Sequence, residues 1–321
     1  MAYAANVAGG GDAVAARAAG VWAGIGGAHV DAVTVLKPPK RKSAVYLLRD
    51  ATGRDVVAKR ASAVTLRTER DIYSLLNALP VASITMLGFA EETAVDDEAW
   101  LFTAYAGGAP FSPHDDAHRS AVADWMAAVH TAAAQHANAV SLPDRGIGHY
   151  RDVLCRAEST MRGARANPAL TASDLRTLDR ILRWCDMADR AWALLDGVTS
   201  VLPRTLVHGG FGAKNVRVAG DGQRRLWPLA FDWEAGGWGT PAADLAAADP
   251  DAYHAGLRAA WPGVSRAAVG RLASVGRLFA ALSAIPGEER SLHNRWSQRV
   301  MAKMRVYEVR LARAITELGM G

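Results

Sequence analysis

Cysteine is scarce in this chain. Its 321 residues hold two, Cys155 and Cys185, and neither has a Cys or His at metal-ligand spacing. That leaves no cysteine-based metal site to expect, and both read as buried thiols of a reducing cytoplasm. No run of about 18 apolar residues occurs, so no membrane span is expected. The opening stretch, Met1 to Gly20, has no basic head followed by an apolar run, so it does not read as a secretory signal. It is rich in Ala and Gly, with Arg17 inside it, and reads as a loose extension or a frayed helix. No nucleic-acid motif accompanies the net charge of +5, a mild excess that bears on substrate more than on fold. Half of the residues are apolar, enough for a full core in one large domain or two lobes.

Two stretches organise what is present. Leu206 to Val218 begins as an apolar run of strand type and reaches Asn215; Leu229 to Glu234 does the same and reaches Asp232. Between them Ala219-Gly220-Asp221-Gly222 has the composition of a turn, so the whole reads as a short hairpin. An amide oxygen and a carboxylate at neighbouring strand ends are hard ligands, of the kind that hold Mg²⁺ beside phosphates.

His208-Gly209, then Asn215, a strand and Asp232 follow the order His-Gly-Asp-x-x-x-x-Asn, strand, Asp. Gly239-Thr240-Pro241-Ala242-Ala243-Asp244-Leu245-Ala246 then resembles Gly-x-Pro-x-x-Asp-Leu-Ala. Together they resemble the aminoglycoside phosphotransferase-like kinases, which share the protein-kinase fold. The resemblance implies an α+β, bilobal fold with a small N-terminal antiparallel sheet plus helix and a larger, mainly helical C-terminal lobe. On this chain it implies an extension over 1–20, an N-lobe over 21–104 and a C-lobe over 105–321 that carries the catalytic hairpin 206–234. It implies ATP and Mg²⁺ as cofactors, with Asn215 and Asp232 as metal ligands, His208 in the catalytic loop and Asp244 as a structural anchor. The family's proton-accepting Asp is missing. Gly210 stands in its place, and no other carboxylate lies between His208 and Asn215.

The N-terminal half is expected to supply the nucleotide contacts. Asp31 to Leu36 alternates as a strand; Lys37 to Ser43 is a basic turn; Ala44 to Arg49 and Val56 to Arg60 complete a meander. In the kinase fold the first turn covers the phosphates and the third strand carries a Lys on them, here Lys59. The covering turn has no glycine and carries Lys37, Lys40, Arg41 and Lys42; it reads either as a phosphate clamp, with Lys42 and Ser43 among the contacts, or as a solvated basic turn. Thr65 to Leu79 has helical spacing, and Glu69 in its early turns is the expected partner of Lys59, a surface Glu beside Arg70 being the alternative. Adenine is expected near Thr103 and Tyr105, where Trp100 to Tyr105 runs into Gly107-Gly108.

The rest of the chain reads as helical. Trp125, Met126, Val129 and His130 share one helix face, where His130 reads as a satisfied core residue. Further helices are expected over Asp152 to Arg162 and Leu175 to Leu195. Their segment carries Arg151, Arg156, Arg162, Arg165, Arg176, Arg180 and Arg183, and the helix of Arg290 to Leu318 has basic outer faces that read as solvated or as a docking surface for an acidic partner. That charge disfavours a polycationic acceptor and favours a neutral or acidic one, either a natural-product hydroxyl or a Ser/Thr in a modified peptide. Glu234 reads as a substitute base or metal ligand if the strand continues past Asp232, and otherwise as a surface residue. Three functions stay open: a kinase with a non-standard base, a nucleotide-binding pseudokinase, and an inactivated version of an ordinary antibiotic kinase.

Overall fold

A computed structural model describes residues 13–40, 43–92, 97–136, 141–222 and 225–320. The expected phosphate contact Lys42 and its neighbour Arg41 lie outside the described residues, as do 1–12 of the expected extension. In chain order the elements are α1 (Ala13–Gly24), β1 (Val30–Lys40), β2 (Ser43–Asp50), β3 (Asp55–Ser62), α2 (Ala63–Ala78), β4 (Met86–Glu91), β5 (Glu98–Ala104), β6 (Ala109–Pro110), α3 (Asp116–Ala134), β7 (Asp144–Arg145) and α4 (Ile147–Ala164). There follow α5 (Ala172–Arg190), α6 (Trp192–Thr199), β8 (Thr205–Val207), β9 (Val216–Gly220), β10 (Leu226–Ala230), β11 (Gly237–Gly239), α7 (Pro250–Leu257), α8 (Arg266–Ala284), α9 (Glu289–Leu292) and α10 (Gln298–Glu317). The chain divides into two compact units, one of Met1–Phe111, Val140–Leu142 and Ala213–Gly236, the other of Ser112–Ala139, Pro143–Gly212 and Gly237–Gly321. The second half of the expected catalytic hairpin thus groups with the N-terminal sheet.

In the first unit five antiparallel strands run in the order β1-β2-β3-β5-β4. Alternation sorts their side chains: Tyr46, Leu48, Val56, Ala58, Trp100 and Phe102 point to one face and are buried there against Ala15, Ala18 and Trp22 of α1. Residues 13–20 are therefore packed helix, not a loose extension. Their small side chains let α1 lie close to the sheet, and Arg17 pairs with Glu92, which also accepts the Trp100 indole N–H at 2.6 Å. Lys59 points to the opposite face, paired in register with Val45 and Leu101. The basic turn is narrower than its composition suggests, since β1 continues to Lys40, which pairs with Ser43. β9 and β10 form an antiparallel hairpin extended by β6.

The second unit packs helices around α8, whose Leu272, Val275, Leu278, Phe279 and Leu282 are buried. Arg266–Leu292 is long and apolar enough to cross a membrane by length and composition, although Arg271 and Arg277 interrupt it; 61% of its apolar window is buried inside the fold, as a core helix requires. The single helix expected over Leu175 to Leu195 is two, α5 and α6, broken at Ala191. A small sheet β7-β11-β8 sits in the same unit, so the stretch from Leu206 to Val218 is not one strand: β8 pairs with β11, and β9 starts a separate sheet.

One close approach matters for the site. A Cβ on Gly276 of α8 would meet the Ala242 carbonyl oxygen well inside van der Waals contact. Ala242 is the second residue of the 3-10 turn Pro241–Ala247, which carries Asp244. Overpacking of this kind costs about 1–3 kcal/mol. Gly276→Val should therefore lower the melting temperature measurably, whereas Gly270→Ala, on the same helix but near only the Arg266 side chain, should not.

Candidate active site

Lys59 stands in the centre of the first unit's sheet. Its Nζ lies 2.5 Å from Glu69 Oε1 and 2.5 Å from Asp232 Oδ1. The three residues come from β3, from α2 and from the short segment between β10 and the 3-10 turn Trp233–Ala235. Ser62 caps the N-terminus of α2 by accepting from the Thr65 N–H, and the helix then brings Glu69 inward. Glu69 is 1% exposed, so it is not the surface residue that the alternative reading held open. Burial opposes the Lys59 charge, but the Glu69 and Asp232 carboxylates outweigh it and hold its pKa above the usual lysine value. For Glu69 burial wins over the Lys59 attraction, with Asp232 and Glu234 adding like charge, and its pKa is pushed up to about 7.

Asn215 and Asp232 sit at the same end of the β9–β10 hairpin. Asn215 immediately precedes β9, Asp232 follows β10, and the Phe231 N–H donates to the Asn215 carbonyl oxygen at 3.0 Å. Asn215 is buried and Asp232 half-buried. Asp232 adopts the left-handed conformation, φ 66° and ψ 58°, which a non-glycine residue takes up at a cost and which clusters at functional sites. That turn ends the strand, so alternation does not carry Glu234 to the face of Asp232. Glu234 lies instead in the 3-10 turn Trp233–Ala235, exposed. Among the described residues no three His, Cys, Asp or Glu side chains gather as a metal site; the donor set that fits Mg²⁺ here is Asp232 with the Asn215 amide oxygen, both hard ligands.

The remaining expected contacts are placed as follows. Thr103 is buried in β5, and Tyr105 is exposed just beyond it. The Ala104 and Tyr105 amides donate to the Thr85 and Asp55 carbonyl oxygens at 2.9 and 3.2 Å, so these two N–H groups serve the sheet. Ser43 is half-buried at the start of β2. In the second unit the turn His208-Gly209-Gly210 follows β8. Its His208 and Gly209 amides donate to Asp244 at 2.7 and 2.9 Å, and the Gly210 amide donates to His208 Nδ1 at 3.3 Å. Gly209 is left-handed, φ 66°; Gly210 is not among the left-handed glycines. His130 is buried, 2.7 Å from the Tyr253 hydroxyl and 3.4 Å from Asp244. Tyr253 carried no sequence signal: it is one more aromatic in a helical stretch.

The charged segments prove largely self-paired. Arg151 meets Asp189, Arg165 meets Asp179, and Arg180 meets Glu308. On α10, Lys303, Arg305 and Arg313 meet Glu288, Asp174 and Glu317. Cys155 is exposed, against expectation; Cys185 is buried, which pushes its thiol up to about 12.

The family model for the phosphotransferase enzyme family matches residues 36–263. The chain belongs to that family. The match spans β2 to β5, the His208 turn, the hairpin and Asp244, so these sit within one inherited frame. Solved structures with the same fold include macrolide 2'-phosphotransferase type I, 17% identical over 94% of this chain and 98% of that one, with a TM-score of 0.59. Another is a thermostable mutant of aminoglycoside phosphotransferase APH(4)-Ia, 14% identical over 92% and 97%, TM-score 0.58. A third is spectinomycin phosphotransferase, APH(9)-Ia, in complex with ADP and spectinomycin, 9% identical over 90% and 94%, TM-score 0.57. At these identities the likeness is one of fold, and it is the protein-kinase-like α+β fold that the motifs imply. No curated protein matches the sequence.

The raised Glu69 pKa has a stability consequence. The folded chain holds this proton more tightly than the unfolded chain, whose carboxyl titrates near 4.5. The associated stability is complete below that pH and is lost as pH rises through about 7. The melting temperature of the wild type relative to Glu69→Gln should therefore fall between pH 5 and pH 8. A difference that stays flat across that window would show that Glu69 does not titrate there.

Proposed function

We propose that this phosphotransferase-family chain binds ATP with Mg²⁺ through Lys59, Glu69, Asn215 and Asp232, and transfers phosphate to an alcohol acceptor without the usual base. The observation that carries this reading is Lys59 Nζ at 2.5 Å from both Glu69 and Asp232. A buried carboxylate fixes the cation, and a second, more exposed one stands ready for a metal. Phosphoryl transfer depends mainly on positioning and charge stabilisation, which a set of this kind supplies. Bound Mg²⁺ would neutralise charge on the phosphates; the chain's own residues orient them. Adenine recognition near Thr103 and Tyr105 falls to groups other than the Ala104 and Tyr105 amides. The solved relatives bound to ADP or AMP-PNP support the nucleotide assignment. The reading carries a cytoplasmic location, where ATP is supplied and thiols stay reduced.

Glycine at 210 favours a second reading, a nucleotide-binding pseudokinase that acts as a scaffold or allosteric partner. Glu234 supports catalysis weakly, because it is exposed and off the strand face of Asp232. In either reading the acceptor or partner is a neutral or acidic small molecule or peptide. Arg156, Arg162, Arg176 and Arg183 have no carboxylate partner among the described residues, and they disfavour a polycation. A protein partner on α10 would meet Arg299 and Arg310, the cations of that helix left outside its ion pairs.

Mg·ATP at about 100 times its Kd adds about 2.7 kcal/mol of apparent stability, a rise of a few degrees in melting temperature. The wild type should show this rise and Lys59→Met should not; no rise for the wild type at millimolar nucleotide would remove the binding reading. A missing general base costs about 10²–10⁴-fold in rate. Gly210→Asp should recover a gain of that order in phosphate transfer, and faster transfer to neutral or acidic hydroxyl compounds than to kanamycin. A Gly210→Asp protein as slow as the wild type, with ATP still bound, would favour the scaffold reading.

A further inference from the structure

Of the ten tryptophans, nine are buried or half-buried, and Trp296, just ahead of α10, is 85% exposed. Its loop is nonetheless held firmly. Asn167 Nδ2 donates to the Leu292 and Asn294 carbonyl oxygens at 2.7 and 3.1 Å, and the buried Ser297 accepts the Met301 N–H on its carbonyl oxygen at 2.8 Å. An indole on a backbone already fixed loses little freedom when something covers it. Beside it opens a cavity of about 250 Å³, walled by Glu288, Ser291, Asn294, Arg299, Val300 and Lys303.

Trp296 heads a strip along α10. That helix turns Met301, Met304, Leu311 and Ile315 inward. Its opposite face leaves Val306 and Val309 48% and 66% exposed, and helical spacing puts Arg299 and Arg310 on the same side. Between residues 288 and 310, Glu288 and Glu308 are taken by Lys303 and Arg180, and Arg305 by Asp174. Arg290, Arg295, Arg299 and Arg310 then stand against Glu289 alone, four cations to one acid outside any ion pair among the described residues. Tryptophan and arginine beside apolar side chains is the composition of the energetic centres of protein interfaces. The strip is remote from the His208 turn. α4 begins at β7, which shares a sheet with the strand that leads to His208, and after about 27 Å it ends with Gly163 beside the His293 ring.

We propose that Trp296 and the outward face of α10 dock an acidic peptide segment of another protein, which sets a large apolar side chain on Trp296 and a neighbouring carboxylate in the cavity at Arg299. Charge selects this occupant. A second copy of the chain meeting the same face would set arginine against arginine. A membrane surface would call for the long apolar stripe of α10, which is turned into the fold; the outward face offers one tryptophan and two valines. Pockets for whole small molecules run to about 300–1,000 Å³, and this smaller one suits a single side chain. The surface stands apart from the nucleotide site and holds whether the chain is a working kinase or a scaffold.

Fluorescence anisotropy with the full chain tests this. The probe is a labelled peptide with a central Phe flanked by Asp and Glu; one control peptide replaces the acids by Asn and Gln, the other replaces Phe by Ala. The acidic Phe peptide should bind at micromolar concentration, more tightly at low salt. Either control peptide should bind about tenfold more weakly, and so should the acidic peptide to Trp296→Ala or to the double variant Arg295→Ala, Arg299→Ala. Trp296→Ala should melt with the wild type, because the side chain it removes is exposed; if it does not, the double arginine variant decides. No binding at millimolar peptide, or equal binding to the wild type and both variants, would overturn the proposal. So would dimerisation in sedimentation that depends on Trp296, which gives the face to a second copy. Trp296-dependent co-sedimentation with vesicles of phosphatidylcholine and phosphatidylserine in equal parts would overturn it too, by giving the face to a membrane. Peptide binding by a protein that shows no Mg·ATP melting shift would sustain this surface while removing the nucleotide reading.

Discussion

One ionic contact ties the first unit together. Lys59, Glu69 and Asp232 are separated by up to 173 residues in sequence, yet a single ammonium group touches both carboxylates. Burial outweighs the Lys59 attraction at Glu69, the nearby Asp232 carboxylate adds like charge, and the Glu69 pKa is pushed up. The arrangement is costly to hold and would gain little over apolar packing if stability were its only return. It fixes the position of a cation at the middle of the sheet and keeps a second carboxylate at the hairpin end, the arrangement that the proposed nucleotide site calls for.

The second unit solves a different problem with the same economy of residues. A turn of two glycines has great conformational freedom, and ordering it is entropically costly. Asp244 meets that cost with two short hydrogen bonds, and the helix-on-turn packing at Gly276 keeps Asp244 where it is needed. The left-handed Gly209 allows both amides to face one carboxylate.

Much of this was legible in the sequence. The meander showed itself by alternation, α2 by its leucine spacing, and the Lys59–Glu69 pair and Asp244 through the family resemblance. The misreadings have physical causes. α1 was left between a loose extension and a frayed helix, because alanines give a weak apolar signal although they pack closely. The run from Leu206 to Val218 looked continuous because a strand signal cannot report that its two halves join different sheets. Glu234 was expected beside Asp232 because alternation assumes an extended backbone, and Asp232 leaves it at φ 66°. Cys155 was expected to be buried because hydrophobic neighbours in sequence do not fix which face of a helix a residue takes. Tyr253 and the pairing of the arginines are contacts between distant segments, to which local pattern is blind.

The way the His208 turn is held bears on how such a protein can change over time. Every bond that fixes the turn comes from backbone amides or from side chains other than that of residue 210. The codons of Asp and Gly differ at a single base. Replacing one by the other therefore removes or installs a proton acceptor while the architecture around it stands. Fold and chemistry are separable at this position, because the bonds that hold the turn are made by its backbone and by side chains other than that of residue 210.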